Sequence, residues 1–176
     1  METTARLGMI PESWLPECAA VRRVVMHWTA GGPSPSFFER LHYHFLIDRE
    51  GVVHRGRFPV GRWPPHTRRL NTGSIGIALC GMAQATPAPL RVGPSPITAA
   101  QLEALPVIAA QVLGRYGLPV TEQTLLSHCE VPRVYGRPQR GKWDIAWVPG
   151  LTGLAPQHVG DRLRNEARAW WRRGRG

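Results

Sequence analysis

SIGIALC, residues 74–80, is a continuous apolar run set between two Pro-rich segments, 59–71 and 82–96. A strand covered on both faces reads this way, because neither side of it meets water, so the run is expected in the middle of a sheet. Upstream, residues 22–28 (RRVVMHW) read as a strand whose valines lead to His27, and residues 42–48 (HYHFLID) as an apolar, aromatic strand. The turn Arg49-Glu50-Gly51 opens a hairpin into residues 52–55, and residues 37–41 fit a short helix. Downstream, Thr98 with Gln101 three residues later has the pattern of a reciprocal helix cap. Leu102, Leu105, Ala109, Val112 and Leu113 form that helix's apolar stripe as far as Gly117, with Pro106 inside it. Residues 124–127 read as a short strand ending at His128, residues 132–150 as a long loop, and a last helix runs from near Pro156 to Arg173. Strands interleaved with helices predict an α/β fold: a single domain with a central mixed β-sheet flanked by helices and a site at the strand ends. The expected divisions are an N-terminal extension at 1–20, a main domain at 21–155 and a basic amphipathic helix at 156–176.

Composition narrows the function classes. A chain of 176 residues, 43% of them hydrophobic, suffices for one folded core. No run approaches eighteen apolar residues, which argues against a transmembrane helix. Residues 1–12 lack a basic start followed by an apolar stretch, so synthesis in the cytoplasm without a signal peptide is expected. Cys18, Cys80 and Cys129 are odd in number and lack Cys-x-x-Cys spacing, which argues against a disulfide framework or an all-cysteine metal site. The formal charge of +10 favours polyanionic partners, yet no helix-turn-helix, aromatic RNA-binding or finger motif is present, so no specific nucleic acid is expected. Of the 22 basic residues Lys142 is the one lysine, which suggests that a compact ammonium group is needed there.

His27 and His128 each close an apolar run, and Asp144 follows in the loop, in Lys142-Trp143-Asp144. A catalytic zinc takes three ligands from His, Cys or carboxylate and leaves a fourth position for water. Two histidines and a carboxylate are such a set, although each alone is more often a packed or capping residue and their spacing is not local. The blocks VVMHWTA, YHFLIDREG, NTGSIGIALCG, SHCEV and GKWD decide more. In order and approximate spacing they resemble the type-2 N-acetylmuramoyl-L-alanine amidases, a family that includes phage lysozyme-type amidases, muropeptide-recycling amidases and peptidoglycan recognition proteins. The resemblance covers residues 22–150. It implies that His27, His128 and Asp144 hold Zn2+, that Lys142 steadies the oxyanion, and that Tyr43 orients water or substrate. It also implies that His66 faces the substrate. The activity it implies is hydrolysis of the amide between N-acetylmuramic acid and L-alanine in peptidoglycan, by a monomer acting on the cell wall. Two features depart from the pattern. Ala78 stands where recycling-type members carry a glutamate, which favours a phage-type endolysin, and the stretch from His128 to Asp144 is long, with an insert at 132–140. Glu130 is the nearest substitute carboxylate. A recycling amidase and a non-catalytic recognition module are the alternatives.

The last sixteen residues (DRLRNEARAWWRRGRG) carry six arginines and two acids. Leu163, Ala167, Trp170 and Trp171 share one side of the helix, with Arg164, Arg168 and Arg172 along another. Two readings follow: tryptophans docked on the core, or contact with an anionic membrane or lipopolysaccharide.

Overall fold

The computed structural model describes residues 9–173, so the first eight residues of the expected extension and the last three of the expected helix lie outside it. In chain order the strands are β1 (Arg23–Trp28), β2 (Phe45–Ile47), β3 (Val53–Arg55), β4 (Ser74–Leu79), β5 (Thr86–Pro87), β6 (Leu90–Arg91) and β7 (Leu125–Ser127). The helices are α1 (Ala99–Arg115), α2 (Val131–Tyr135) and α3 (Pro156–Arg173). Five strands form one sheet in the order β3-β2-β4-β1-β7. β4 occupies the centre, parallel to both β1 and β2, while the β2–β3 hairpin is antiparallel, so the sheet is mixed as expected. β5 and β6 pair as a separate hairpin inside the Pro-rich 82–96 stretch, where the sequence shows no periodicity.

The apolar run of β4 hides an alternation of size. Ile75, Ile77 and Leu79 enter the main core, with Val24, Met26 and Trp28 of β1 beside them. Successive side chains on a strand point to opposite faces. Ser74, Gly76 and Ala78 therefore lie on the other face, together with Val25 and His27. The large residues meet α1, whose Leu105, Ile108, Ala109 and Val112 are fully buried. Each such Leu, Ile or Val side chain contributes roughly 1.5–3 kcal/mol on burial. The small residues leave room on the opposite face, and the site is built there.

Two polar devices fasten these layers. Thr98 and Gln101 form the expected cap: Thr98 Oγ1 accepts from Gln101 N–H, and Gln101 Oε1 accepts from Thr98 N–H. The Gln101 amide also donates to the carbonyls of Ile47 and Cys80, both at 2.9 Å, tying α1 to the ends of β2 and β4. Residues 9–20 are packed onto the same core. Trp14 stacks on Phe45, and the Ile10 main chain exchanges two hydrogen bonds with the Gln111 side chain.

Several expectations are corrected. Tyr43 precedes β2 instead of lying within a strand, because the N–H groups of His42 and Tyr43 bond to the Glu39 carbonyl and so continue a 3-10 turn at Glu39–Leu41. Glu130 lies on a 3-10 turn, His128–Glu130, and not on a strand. α2 begins what reads in sequence as loop. The separate arginine face of the last helix is also revised. Arg164 is 2% exposed and grips both oxygens of the Glu130 carboxylate, at 2.9 and 3.0 Å, and Arg168 donates twice to the Val120 carbonyl. Gly160 permits this approach, since a Cβ there would overlap the Glu130 carboxylate. Val159, Leu163 and Ala167 are buried, and Trp170 and Trp171 pack against the core, so α3 is docked on α1.

His44 is a residue of the fold. Its Nδ1 accepts from Gly76 N–H at 3.1 Å, and its Nε2–H donates to the Arg62 carbonyl at 2.8 Å. Desolvation by burial pulls its pKa down to about 4, against the opposing bond to Arg62. Below pH 6.5 the unfolded chain takes up a proton here that the folded protein refuses until near pH 4. Stability owed to neutral His44 is thus present at pH 7 and lost on acidification through that window, up to about 3 kcal/mol. Urea unfolding at pH 7 and pH 4.5 is expected to show a smaller acid loss in His44→Asn than in the native chain. A second measurement addresses α3: Arg164→Ala leaves Glu130 buried without its main partner, and should lower the unfolding free energy by about 3 kcal/mol or more. A loss under about 1 kcal/mol would remove the clamp from the account.

Candidate metal centre

β1 delivers His27 at its penultimate position, on the face away from Met26 and Trp28, and the ring is fully buried. His128 follows β7 directly and opens the 3-10 turn that Ser127 and Glu130 cap reciprocally, Ser127 N–H donating to Glu130 Oε2 at 2.9 Å. Asp144 is held between a half-buried and a fully buried neighbour. Trp143 packs edge-on against Trp28, with ring centres 4.6 Å apart. Ile145 is fully buried at φ 64, a conformation unfavourable for a β-branched side chain. Such strain persists only where packing on both sides enforces it, and here it adjoins a site residue.

The three expected ligands converge. One donor atom from each of His27, His128 and Asp144 lies within 4.8 Å of the others, and all three residues are buried. Asp144 Oδ2 is 3.3 Å from His27 Nδ1 and 3.0 Å from His128 Nδ1. Surrounding partners decide where the imidazole protons sit. Gln139 presents its Oε1 to His128 Nε2 at 3.0 Å. The same Oε1 accepts from Arg68 N–H, while the amide nitrogen donates to the carbonyls of Arg68 and Arg137, so the amide cannot be turned round. His128 must therefore carry its proton on Nε2. His66 Nε2 faces the Ser74 carbonyl at 3.3 Å and donates to it, leaving His66 Nδ1 to accept from His27 Nε2–H at 3.0 Å. Both ligand histidines, when neutral, thus aim a bare Nδ1 lone pair at the same carboxylate oxygen.

Three acceptors with no proton between them repel, and a divalent cation satisfies all three at once. The residues present therefore fit a zinc-type ion. Ionisation agrees. Desolvation holds His27 at about 4, against the hydrogen bond to Asp144, so its imidazole is neutral at pH 7.

The other expected residues surround this point. The Tyr43 ring lies 5.1 Å from the His27 ring, and burial, reinforced by the Asp144 charge, raises its phenol pKa. Lys142 is exposed and lines a cavity of about 330 Å³ together with His66, His128 and Gln139. The cavity wall also carries Arg68, Arg69 and Arg140 and no acid; Arg69 and Arg140 adopt left-handed backbone conformations. His66 borders the cavity but is 7% exposed, and its ring lies over Gly76, where a Cβ would sit 2.9 Å from its Cγ. Glu130 is committed to Arg164 and is not a ligand alternative. Burial raises the thiols of Cys129 and Cys80 to about 12, and the structure contains no disulfide among the described residues. Sequence reasoning missed Gln139. An amide in a Pro- and Arg-rich insert carries no signal of metal chemistry, and its separation from His27 along the chain is bridged only by the fold.

The sequence profile described as N-acetylmuramoyl-L-alanine amidase matches residues 17–150. A comparison with curated proteins finds no match. Among solved structures the chain is similar to the N-acetylmuramoyl-L-alanine amidase LysC from Clostridium intestinale URNW, with TM-score 0.54 and 19% identity over 82% of this chain and 85% of that one. It is also similar to the Ph2119 endolysin from Thermus scotoductus MAT2119 bacteriophage Ph2119, with TM-score 0.50 and 18% identity over 95% and 92% of the two chains. A point mutant of PlyL gives TM-score 0.54 and 14% identity over 91% and 94%. At these identities the solved structures speak for the fold, and the profile, spanning most of the chain and all three converging residues, speaks for descent. The chain belongs to the N-acetylmuramoyl-L-alanine amidase family.

Proposed function

We propose that this protein hydrolyses the amide bond between N-acetylmuramic acid and L-alanine in peptidoglycan, using one zinc ion held by His27, His128 and Asp144. The observation that carries the reading is the convergence of His27, His128 and Asp144, with His128 lining a cationic cavity. Zinc bound there supplies a Lewis acid for the scissile carbonyl and an activated water. The chain supplies the rest. Lys142 places an ammonium at the cavity wall, where negative charge develops on the carbonyl oxygen. Tyr43 keeps its phenol proton, and so serves as a hydrogen-bond donor that orients water or substrate, not as a resting base. Arg68, Arg69 and Arg140 suit a stem peptide that bears carboxylates.

The cellular role we propose is lysis, by a chain made in the cytoplasm and acting on the wall. Ala78 supports it: in the sheet register it lies directly beside His27, so the position at which recycling-type members offer a carboxylate is a methyl group here. A membrane contact through α3 is a separate proposal, and it rests on Arg162, Arg172 and Arg173, since Arg164 and Arg168 face inward.

Purified protein is expected to hold about one zinc per chain and to release L-alanyl peptides from isolated murein sacculi; chelation should abolish the release and zinc should restore it. Undiminished release by chelated, metal-free protein would end the zinc reading. Activity confined to soluble muropeptides, with none on sacculi, would favour recycling over lysis. Lys142→Ala should lower kcat by about 10²–10³ with zinc content unchanged, as for loss of one oxyanion donor. A change confined to KM would assign Lys142 to binding instead.

A further inference from the structure

We infer that Gln139 is the positioning residue of His128, and that a single loop, residues 66–71, braces both metal-binding imidazoles; the inference rests on the zinc reading above. The side chain of Gln139 is 4% exposed and all of its hydrogen-bonding capacity near the site is in use. Its Oε1 accepts from His128 Nε2 and Arg68 N–H, and its amide donates to the carbonyls of Arg68 and Arg137. Two of those four bonds go to the main chain of one residue, Arg68, so Gln139 is clamped to the loop as firmly as His128 is clamped to Gln139.

The other imidazole reaches the same loop by a shorter path. His66 belongs to it and accepts directly from His27 Nε2–H. Asn71 closes the loop: its Oδ1 accepts from His66 N–H at 3.0 Å, from Thr67 N–H at 2.7 Å and from the Thr67 hydroxyl at 3.0 Å. Two histidines, one on β1 and one just past β7, thus have their outer nitrogens anchored to one short segment, His27 directly through His66 and His128 through Gln139. Ring orientation and tautomer are set together, and each Nδ1 is left free to bind metal. Outer partners of this kind typically govern metal affinity by about 10- to 100-fold. His66 accordingly acts through His27, which its near-complete burial between Gly76 and His27 also favours over direct substrate contact.

Gln139→Met keeps side-chain length and shape while removing both acceptor and donors. Zinc affinity, read by competition with a chromophoric chelator, is expected to fall about 10- to 100-fold, with a thermal melt confirming that the variant is folded. In zinc-loaded native protein, long-range proton–nitrogen spectra should show His128 and His27 protonated on Nε2, with the His128 Nε2 proton shielded from solvent exchange; that shielding should vanish in Gln139→Met. The nitrogen spectra read the native chain, so they decide the matter even if the variant fails to fold. Equal affinities for native and variant protein, or a His128 bound through Nε2, would overturn the inference and leave the amidase reading intact. A native protein that takes up no zinc would overturn both.

Discussion

Two bare imidazole nitrogens and a carboxylate oxygen repel when brought together, yet this fold holds them within a few ångströms of one another. That constraint organises much of what surrounds them. Each histidine needs an acceptor behind it to keep its proton on the far nitrogen, and each has one, from His66 and Gln139. The aspartate needs a rigid seat, provided by Trp143 against Trp28 and by the buried, strained Ile145. The histidines need space above the sheet, and the small residues of β4 leave it. Repulsion among the inner atoms is tolerated because the outer atoms are so fully engaged, and the buried polar side chains of the described residues all find partners.

The order of elements was legible in the residues to a large degree. SIGIALC marks a central strand because both of its faces are covered, and Thr98 with Gln101 marks the start of α1 because the two side chains satisfy each other's exposed amides. What the apolar run concealed is that its two faces differ in size, since hydrophobicity alone does not separate Ile and Leu from Gly and Ala. The strand around Tyr43 was overread for a related reason. Aromatic residues favour strands, but a preceding 3-10 turn had already engaged the amides that a ladder needs.

In the site, residues whose chemistry is intrinsic were readable, and those whose chemistry is relational were not. His27, His128 and Asp144 are ligand types in recognisable blocks, so their meeting was expected and the fold brings it about. Gln139 and Arg164 have no such mark. An amide becomes informative only beside an imidazole, and an arginine on a basic helix looks like its solvated neighbours until Glu130 is found against it.

Arg164 has a further consequence, concerning the order in which the protein becomes competent. It clamps the carboxylate that caps the turn bearing His128, and α3 follows that turn in the chain. While that helix is undocked, Glu130 loses its two-pronged partner and keeps only the longer contact to Arg133, so the turn bearing the second histidine is less firmly seated. Assembly of the centre is thereby deferred until the closing helix docks. For an enzyme of the proposed activity, that dependence keeps the chain inert until α3 has docked.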